Sequence, residues 1–208
     1  MTKSHQIKFS SLPQEWQRQF RKLRSLYRQV DRDSARFQVA TGLHCPKRCG
    51  HCCKHPQVEA TVFEMKLLAY TLLQQGEADN WLARCREADY LGPCIFYQSL
   101  AGRSDHGQCS VYPYRPLLCR LFGFSMNLDK KGKAVLVTCK KIKKNFPAQI
   151  RRLAANFNTD HARPSMADYS RKLFSIDPIG GREQVPINMA TARAIEKVGL
   201  FVEQHQRQ

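Results

Sequence analysis

The residues with the strongest chemical character fall in one short run, Cys45-Pro-Lys-Arg-Cys49-Gly-His-Cys52-Cys53. Four thiols this close repel one another once ionised and oxidise readily when exposed, so a bound metal is the simplest stabiliser. Gly50 allows the backbone to turn so that its amides can point at sulfur. Cys52 and Cys53 are adjacent, and consecutive side chains in an extended segment diverge, so the two are expected to serve different centres. The expected division gives Cys45, Cys49 and Cys52 to one centre completed by a distal cysteine. Cys53 then joins three other distal cysteines at a second.

Four distal cysteines are available for this, Cys94, Cys109, Cys119 and Cys139. Two of them share the segment Gly107-Gln-Cys109-Ser-Val-Tyr112-Pro-Tyr-Arg115-Pro116-Leu-Leu-Cys119-Arg120. A glycine turn precedes Cys109 and a rigid Arg-Pro corner precedes Cys119, so backbone geometry fixes both thiols. Arg115 and Arg120 are placed to offset the charge of about −2 that four thiolates leave on a zinc ion or an oxidised four-iron cluster. The chain has nine cysteines. The ninth, Cys85, follows Trp81 by one helical turn on an apolar stripe, where a cysteine behaves as a small buried hydrophobe. Removing it leaves two sets of four, the number that a tetrahedral zinc site or a cubane cluster takes. His44, His51, His55 and His106 lie near these cysteines but are surplus to two filled sites, and are expected beside the centres or in solvent.

The CxxxCxxCC cluster, the lone cysteine that follows and the motif C-x-x-Y-x-x-R-P-x-x-C-R together resemble the YkgJ-type cysteine-cluster family, described as zinc- or iron-chelating domains. The resemblance covers about residues 43 to 140. Cys45, Cys49, Cys52 and Cys53 match its cluster, Cys94 its lone cysteine, and Cys139 its closing cysteine. Cys109, Tyr112, Arg115, Pro116, Cys119 and Arg120 match its second motif. Cys85 has no counterpart. The resemblance implies metal chelation by eight cysteines, with Tyr112, Arg115 and Arg120 around the centres. A similar cysteine module occurs in flagellin lysine methylases, which keeps an enzymatic role open.

Cys45, Cys49 and Cys52 also have the CxxxCxxC spacing of radical S-adenosylmethionine enzymes, so an iron-sulfur enzyme of methyltransferase type is the alternative reading. Against it, no alternating strand-helix pattern follows the cluster, and Cys53 with four downstream cysteines is unneeded by that chemistry. Four-cysteine sets suit zinc and iron alike. Structural zinc sites pair CxxC knuckles, whereas here the first gap is three residues and two cysteines are vicinal, which tilts the expectation toward iron or an iron-sulfur cluster over Zn2+.

Charge gives a second theme. Lys and Arg number 34 against 17 Asp and Glu, for a net charge of +17. The excess is concentrated in residues 1 to 44, nine basic against three acidic, and in residues 129 to 152, nine against one. Lys130, Lys131, Lys133, Lys140, Lys141, Lys143, Lys144, Arg151 and Arg152, with Arg18, Arg21, Lys22, Arg24 and Arg28 of the first segment, make a candidate nucleic-acid footprint, giving a zinc-stabilised nucleic-acid-binding module as another alternative. No apolar run reaches the roughly 18 to 20 residues of a membrane helix, and the N-terminus lacks the apolar stretch of a secretory signal. The expected compartment is the cytoplasm, where thiols stay reduced and metal or redox chemistry is the leading use for cysteine. P-loop, GxSxG and GxGxxG motifs are absent from the sequence, which removes the hydrolase, kinase and dinucleotide-binding readings.

The elements that must position these residues are short. Ser11 with Gln14 reads as the start of a helix bearing Trp16, Phe20, Leu23, Tyr27 and Val30. Thr61 with Glu64 is a capping box for a second helix ending at Gly76, and a third runs to about Tyr90. Residues 94–97, 108–112 and 134–138 read as strands, the first two joined by a loop with Gly102, Ser104, Asp105 and Gly107. Helices are expected over 147–156, 167–173 and 188–203. The whole predicts a small helix-rich α+β domain with a short antiparallel β element, organised around cysteine-ligated metal centres. Its expected divisions are a basic amphipathic helix over 1–42, a metal-binding domain over 43–156 and a helical extension over 157–208.

Overall fold

Helix α1 (Gln14–Thr41) carries its apolar residues at helical spacing, so Phe20, Leu23, Tyr27, Val30 and Phe37 are buried on one side of it. In this computed structural model, which describes residues 8–55, 58–100, 106–155 and 163–206, α1 is the longest element. Ser11 is not its cap. Phe9–Ser11 forms a separate 3-10 turn, Pro13 precedes the first helical residue, and the Gln17 amide donates to the Ser10 and Leu12 carbonyls at 3.0 and 2.8 Å. Proline supplies a preset φ at a helix start, which displaces the serine from that role.

The Thr61 capping box forms as expected at the start of α2 (Val62–Gln74). Helix α3 (Ala78–Glu87) follows and buries Cys85 completely. Strand β1 (Glu59–Thr61) leads straight into α2, and β6 (Gln184–Pro186) leads straight into α8 (Ile187–Gln206). The two strands pair antiparallel with Ala60 opposite Val185, which brings the starts of α2 and α8 together. Small residues Ala190 and Ala194 with Val198 and Val202 then bury one stripe of α8 against α2 and α3. Phe20, Phe63, Met65, Leu68 and Phe96 complete this main core, with α7 (Met166–Ile176) adding Tyr169, Leu173 and Ile176. Segments from both ends of the chain therefore share one core with α2.

Strands β2 (Tyr97–Ser99) and β3 (Gly107–Cys109) pair with Tyr97 opposite Cys109, a few residues from the expected spans. Gly102, Ser104 and Asp105 lie outside the described residues. Helix α4 (Leu117–Leu121) is a single short turn after Pro116. Strands β4 (Ser125–Leu128) and β5 (Ala134–Val137) form a second hairpin, whose turn is tied by Asp129 accepting from the Lys131 and Lys133 amides at 2.8 and 2.9 Å. Helices α5 (Lys140–Asn145) and α6 (Pro147–Ala155) follow. This hairpin and helix pair sit on a separate small core of Phe37, Leu43, Phe124 and Ile142, with Phe146, Ile150 and Leu153 packed against it. The architecture is a helix-rich α+β domain with three two-stranded antiparallel pairs among the described residues.

Candidate metal centre

Two left-handed residues shape the cysteine loop, Arg48 at φ 55° and Gly50 at φ 52°. The loop then enters a 3-10 turn over His51–Lys54 that holds Cys52 and Cys53. Backbone hydrogen bonds dock it on two sides: the Gly107 amide donates to the Arg48 carbonyl at 2.8 Å, and the Cys94 amide to the Cys53 carbonyl at 3.0 Å. Tyr97 lies across both glycines. A Cβ on Gly50 would meet its ring at 2.6 Å, and one on Gly107 at 2.2 Å. Gly107→Ala is therefore expected to expel the Tyr97 ring and cost about 1–3 kcal/mol, whereas Gly199→Ala, in open space on α8, is expected to gain about 0.5–1 kcal/mol. Thermal denaturation of the two variants checks both signs.

The distal cysteines arrive from different elements. Cys94 precedes β2, Cys109 ends β3, Cys119 lies on α4, and Cys139 caps α5, its Sγ accepting from the Ile142 amide at 3.4 Å. All four, with Cys45, Cys49, Cys52 and Cys53, line one cavity of about 1340 Å³. Cys85 is not in its wall. Cys45 and Cys52 face the opening, Cys49 and Cys94 are buried, and the rest are half-buried. As placed, no three His, Cys, Asp or Glu side chains among the described residues converge closely enough to hold one ion. The donor chemistry nonetheless fits zinc or iron, since soft thiolates are the ligands both metals take in four-cysteine sites.

Electrostatic neighbours divide the thiols into two groups. Desolvation pushes Cys45 up to about 12, even at the cavity mouth, and Cys49, Cys52 and Cys139 add to the shift. Burial likewise pushes Cys94 up to about 12, with Cys109 and Cys52 adding. Burial raises Cys119, helped by Cys94, Cys52 and Cys109. Cys52 runs the other way: the hydrogen bond donated by Cys53 lowers it to about 6, the Arg115 charge assists, and Cys53 is raised in turn. The vicinal pair lies in the 3-10 turn, where each thiol acts on the other. Cys52 is a neighbour of both groups. Most of these thiols are held neutral by their surroundings, so a cation is what would turn them into thiolates.

The two arginines of the second motif have different surroundings. Arg115 lies 3.6 Å from the Tyr112 ring centroid, donates to the Cys119 carbonyl at 3.1 Å, and acts on Cys52, Cys109 and Cys119. Arg120 is nearly buried and donates to Asp31 at 2.6 Å and to the Arg115 and Pro113 carbonyls at 2.7 and 2.5 Å. It also lies 4.1 Å from the Tyr27 ring centroid, clamping α4 to α1. Tyr112 is largely exposed at the cavity rim. His51 and His55 line the same cavity, while His44 packs edge-on against Phe146 with ring centroids 4.5 Å apart. His106 is half-buried outside it.

One group that matters here is invisible in the motifs. Glu64 is buried, and its carboxylate accepts from the Leu117 amide at 2.6 Å, from Tyr27 Oη at 3.1 Å and from the Thr61 amide and hydroxyl at 3.1 Å each. It fixes the start of α4, and with it Cys119. The only trace in the sequence is a carboxylate inside the apolar run Val62-Phe-Glu-Met65, where a cap alone would explain it.

The three antiparallel pairs leave no parallel α/β barrel among the described residues. No helix of the described residues is long and apolar enough to cross a membrane. Neither a curated protein nor a solved structure matches the chain. Residues 44–145, just under half of its length, match a family model that carries the motif name CxxCxxCC and the description "putative zinc- or iron-chelating domain". The first gap here holds three residues where that name spells two, and left-handed Arg48 stands within it. Residues 44–145, which contain every cysteine of the shared cavity, thus match this cysteine-cluster family.

Proposed function

We propose that the protein is a cytoplasmic metal chelator that binds iron, as an iron-sulfur cluster, through two four-thiolate centres. Cys45, Cys49, Cys52 and Cys139 hold one centre, and Cys53, Cys94, Cys109 and Cys119 hold the other. The observation that carries this reading is the single cavity lined by those eight cysteines, with the buried Cys85 alone outside its wall. The division follows the neighbours of Cys45 on one side and of Cys53 and Cys119 on the other, and gives Cys52, a neighbour of all three, to the first because its adjacent partner Cys53 fills the second. Within such centres the metal withdraws charge from sulfur and holds the thiolates together. Arg115 offsets the remaining negative charge, and Arg120 with Glu64 holds the backbone that presents Cys119.

Anaerobic purification with metal and sulfide analysis and an absorption spectrum tests the reading. Two metal centres per chain are expected, with bound sulfide and visible absorption. Cys85→Ala is expected to keep both, while Cys139→Ser and Cys119→Ser each lose about one. A colourless, sulfide-free protein containing zinc would overturn iron and leave chelation standing. Full metal content in both serine variants would overturn the division.

A further inference from the structure

The segment that follows α4 carries a second feature besides Cys139, which caps α5. From residue 130 to residue 152 the chain has nine Lys and Arg and no Asp or Glu. Lys143, Lys144, Arg151 and Arg152 are exposed on α5 and α6, and Lys130, Lys131 and Lys133 on the turn between β4 and β5. Ion pairs elsewhere draw on nearby carboxylates, as in Arg18 with Glu15, Arg86 with Glu196 and Arg193 with Glu183. Residues 130–152 hold no carboxylate of their own, and Asp129 beside them accepts from the Lys131 and Lys133 amides. The small core of Phe37, Leu43, Phe124 and Ile142 seats the basic hairpin and both helices as one unit on the end of α1.

We infer that this unit is a docking surface for the phosphate backbone of double-stranded nucleic acid. Charge complementarity favours that occupant, since a duplex presents closely spaced phosphates to a cluster of cations and association releases its counterions. The apolar stripe of α6, Ile150 and Leu153, is already packed into the small core, so this helix has no such stripe left to insert into a lipid surface. Phe124 and Phe146 are packed into the same core, which removes them as stacking platforms for a single strand. What remains is a charged surface suited to phosphates and indifferent to base sequence.

Fluorescence anisotropy of the full-length protein with a labelled, mixed-sequence DNA duplex of about 20 base pairs tests this, a length that spans roughly two turns of B-DNA. Binding is expected at 50 mM salt, with affinity falling about 100-fold by 200 mM if about four phosphates are contacted. Lys143→Glu, Lys144→Glu and Arg151→Glu together are expected to weaken binding at least about tenfold and to lower the salt slope by about 3. The same charge change made on α1, Arg21→Glu, Lys22→Glu and Arg28→Glu, is expected to alter affinity by less than about threefold, since those side chains lie outside the docking unit. Circular dichroism confirms that both variants fold, and glutamine in place of glutamate repeats the test with a milder change. Equal weakening by the two triple variants would overturn the proposal, because only bulk charge would then be at work. So would no duplex binding at low salt, or tight binding to phosphatidylserine vesicles with none to the duplex.

Discussion

Stripping the metal from the loaded protein is expected to lower its Tm by about 10 °C or more while most of its far-UV helical signal survives. Metal binds the folded state in preference to the unfolded one, and structural zinc in small modules contributes about 10–16 kcal/mol of folding free energy at neutral pH. Only a fraction of that is needed here, because 1 kcal/mol moves Tm by about 2–4 °C in a chain of this size. The helical signal survives because Phe20, Phe63, Leu68, Val198 and their neighbours bury one another across α1, α2 and α8, with Cys94 the one cavity cysteine buried among them. The parts expected to depend on metal are the loop from Leu43 to His55 and the elements from Cys94 to Cys139. Scanning calorimetry and circular dichroism of chelated and reloaded protein check this. A chelated protein with an unchanged Tm would show that the cavity wall holds its shape without a cation.

Glu64→Ala is expected to cost about 3–5 kcal/mol and to lower Tm by about 10 °C, although Glu64 touches no metal ligand directly. Removing the carboxylate orphans four donors from Thr61, Tyr27 and Leu117 and leaves a cavity in the core. Glu64→Gln keeps the shape, but either orientation of the amide turns its NH2 toward the Thr61 or the Leu117 backbone N–H. Its expected cost is intermediate, about 1–3 kcal/mol. The variants also change the pH response. Burial raises the Glu64 carboxyl above its ordinary value of 4.5, against the pull of its hydrogen bonds. Between that value and the raised one the folded chain binds more protons than the unfolded chain, so this contribution to stability is greatest below the window and is lost as pH rises through it. Urea titrations from pH 4 to pH 8 are expected to show that decline in the parent chain and to lack it in Glu64→Ala. An identical pH slope in both would exclude Glu64 as its source.

What the amino-acid pattern could reveal depended on distance along the chain. The Thr61 box and the burial of Cys85 were legible because cap and stripe are local, three or four residues apart. The β1–β6 pairing was not, since three-residue strands hold too little alternation to be read and the partners lie more than a hundred residues apart. Strand β4 went unseen for a related reason: Ser125-Met-Asn-Leu128 alternates weakly and declares itself only against β5. The eight cysteines were legible by type, and their shared cavity confirms only that the fold collects them. Arg115 and Arg120 look equivalent in the motif, yet their roles separate because Asp31 and Tyr27 come from α1 to meet Arg120. Glu64 was readable as a cap alone, because Tyr27 and Leu117 are 37 and 53 residues away.

The closeness of Cys45 and Cys139 has a topological consequence. A metal held by both would join chain positions 94 residues apart (139 − 45) and act on the unfolded ensemble as a cross-link. Closing a loop of that length removes conformational entropy worth about 4–5 kcal/mol, by the reasoning applied to disulfides. The second centre would close shorter loops nested inside it, from Cys53 to Cys94 and onward to Cys119. Those nested loops would restrict the denatured chain before any contact in the folded one is counted, and a reducing compartment would leave them intact where it would open a disulfide.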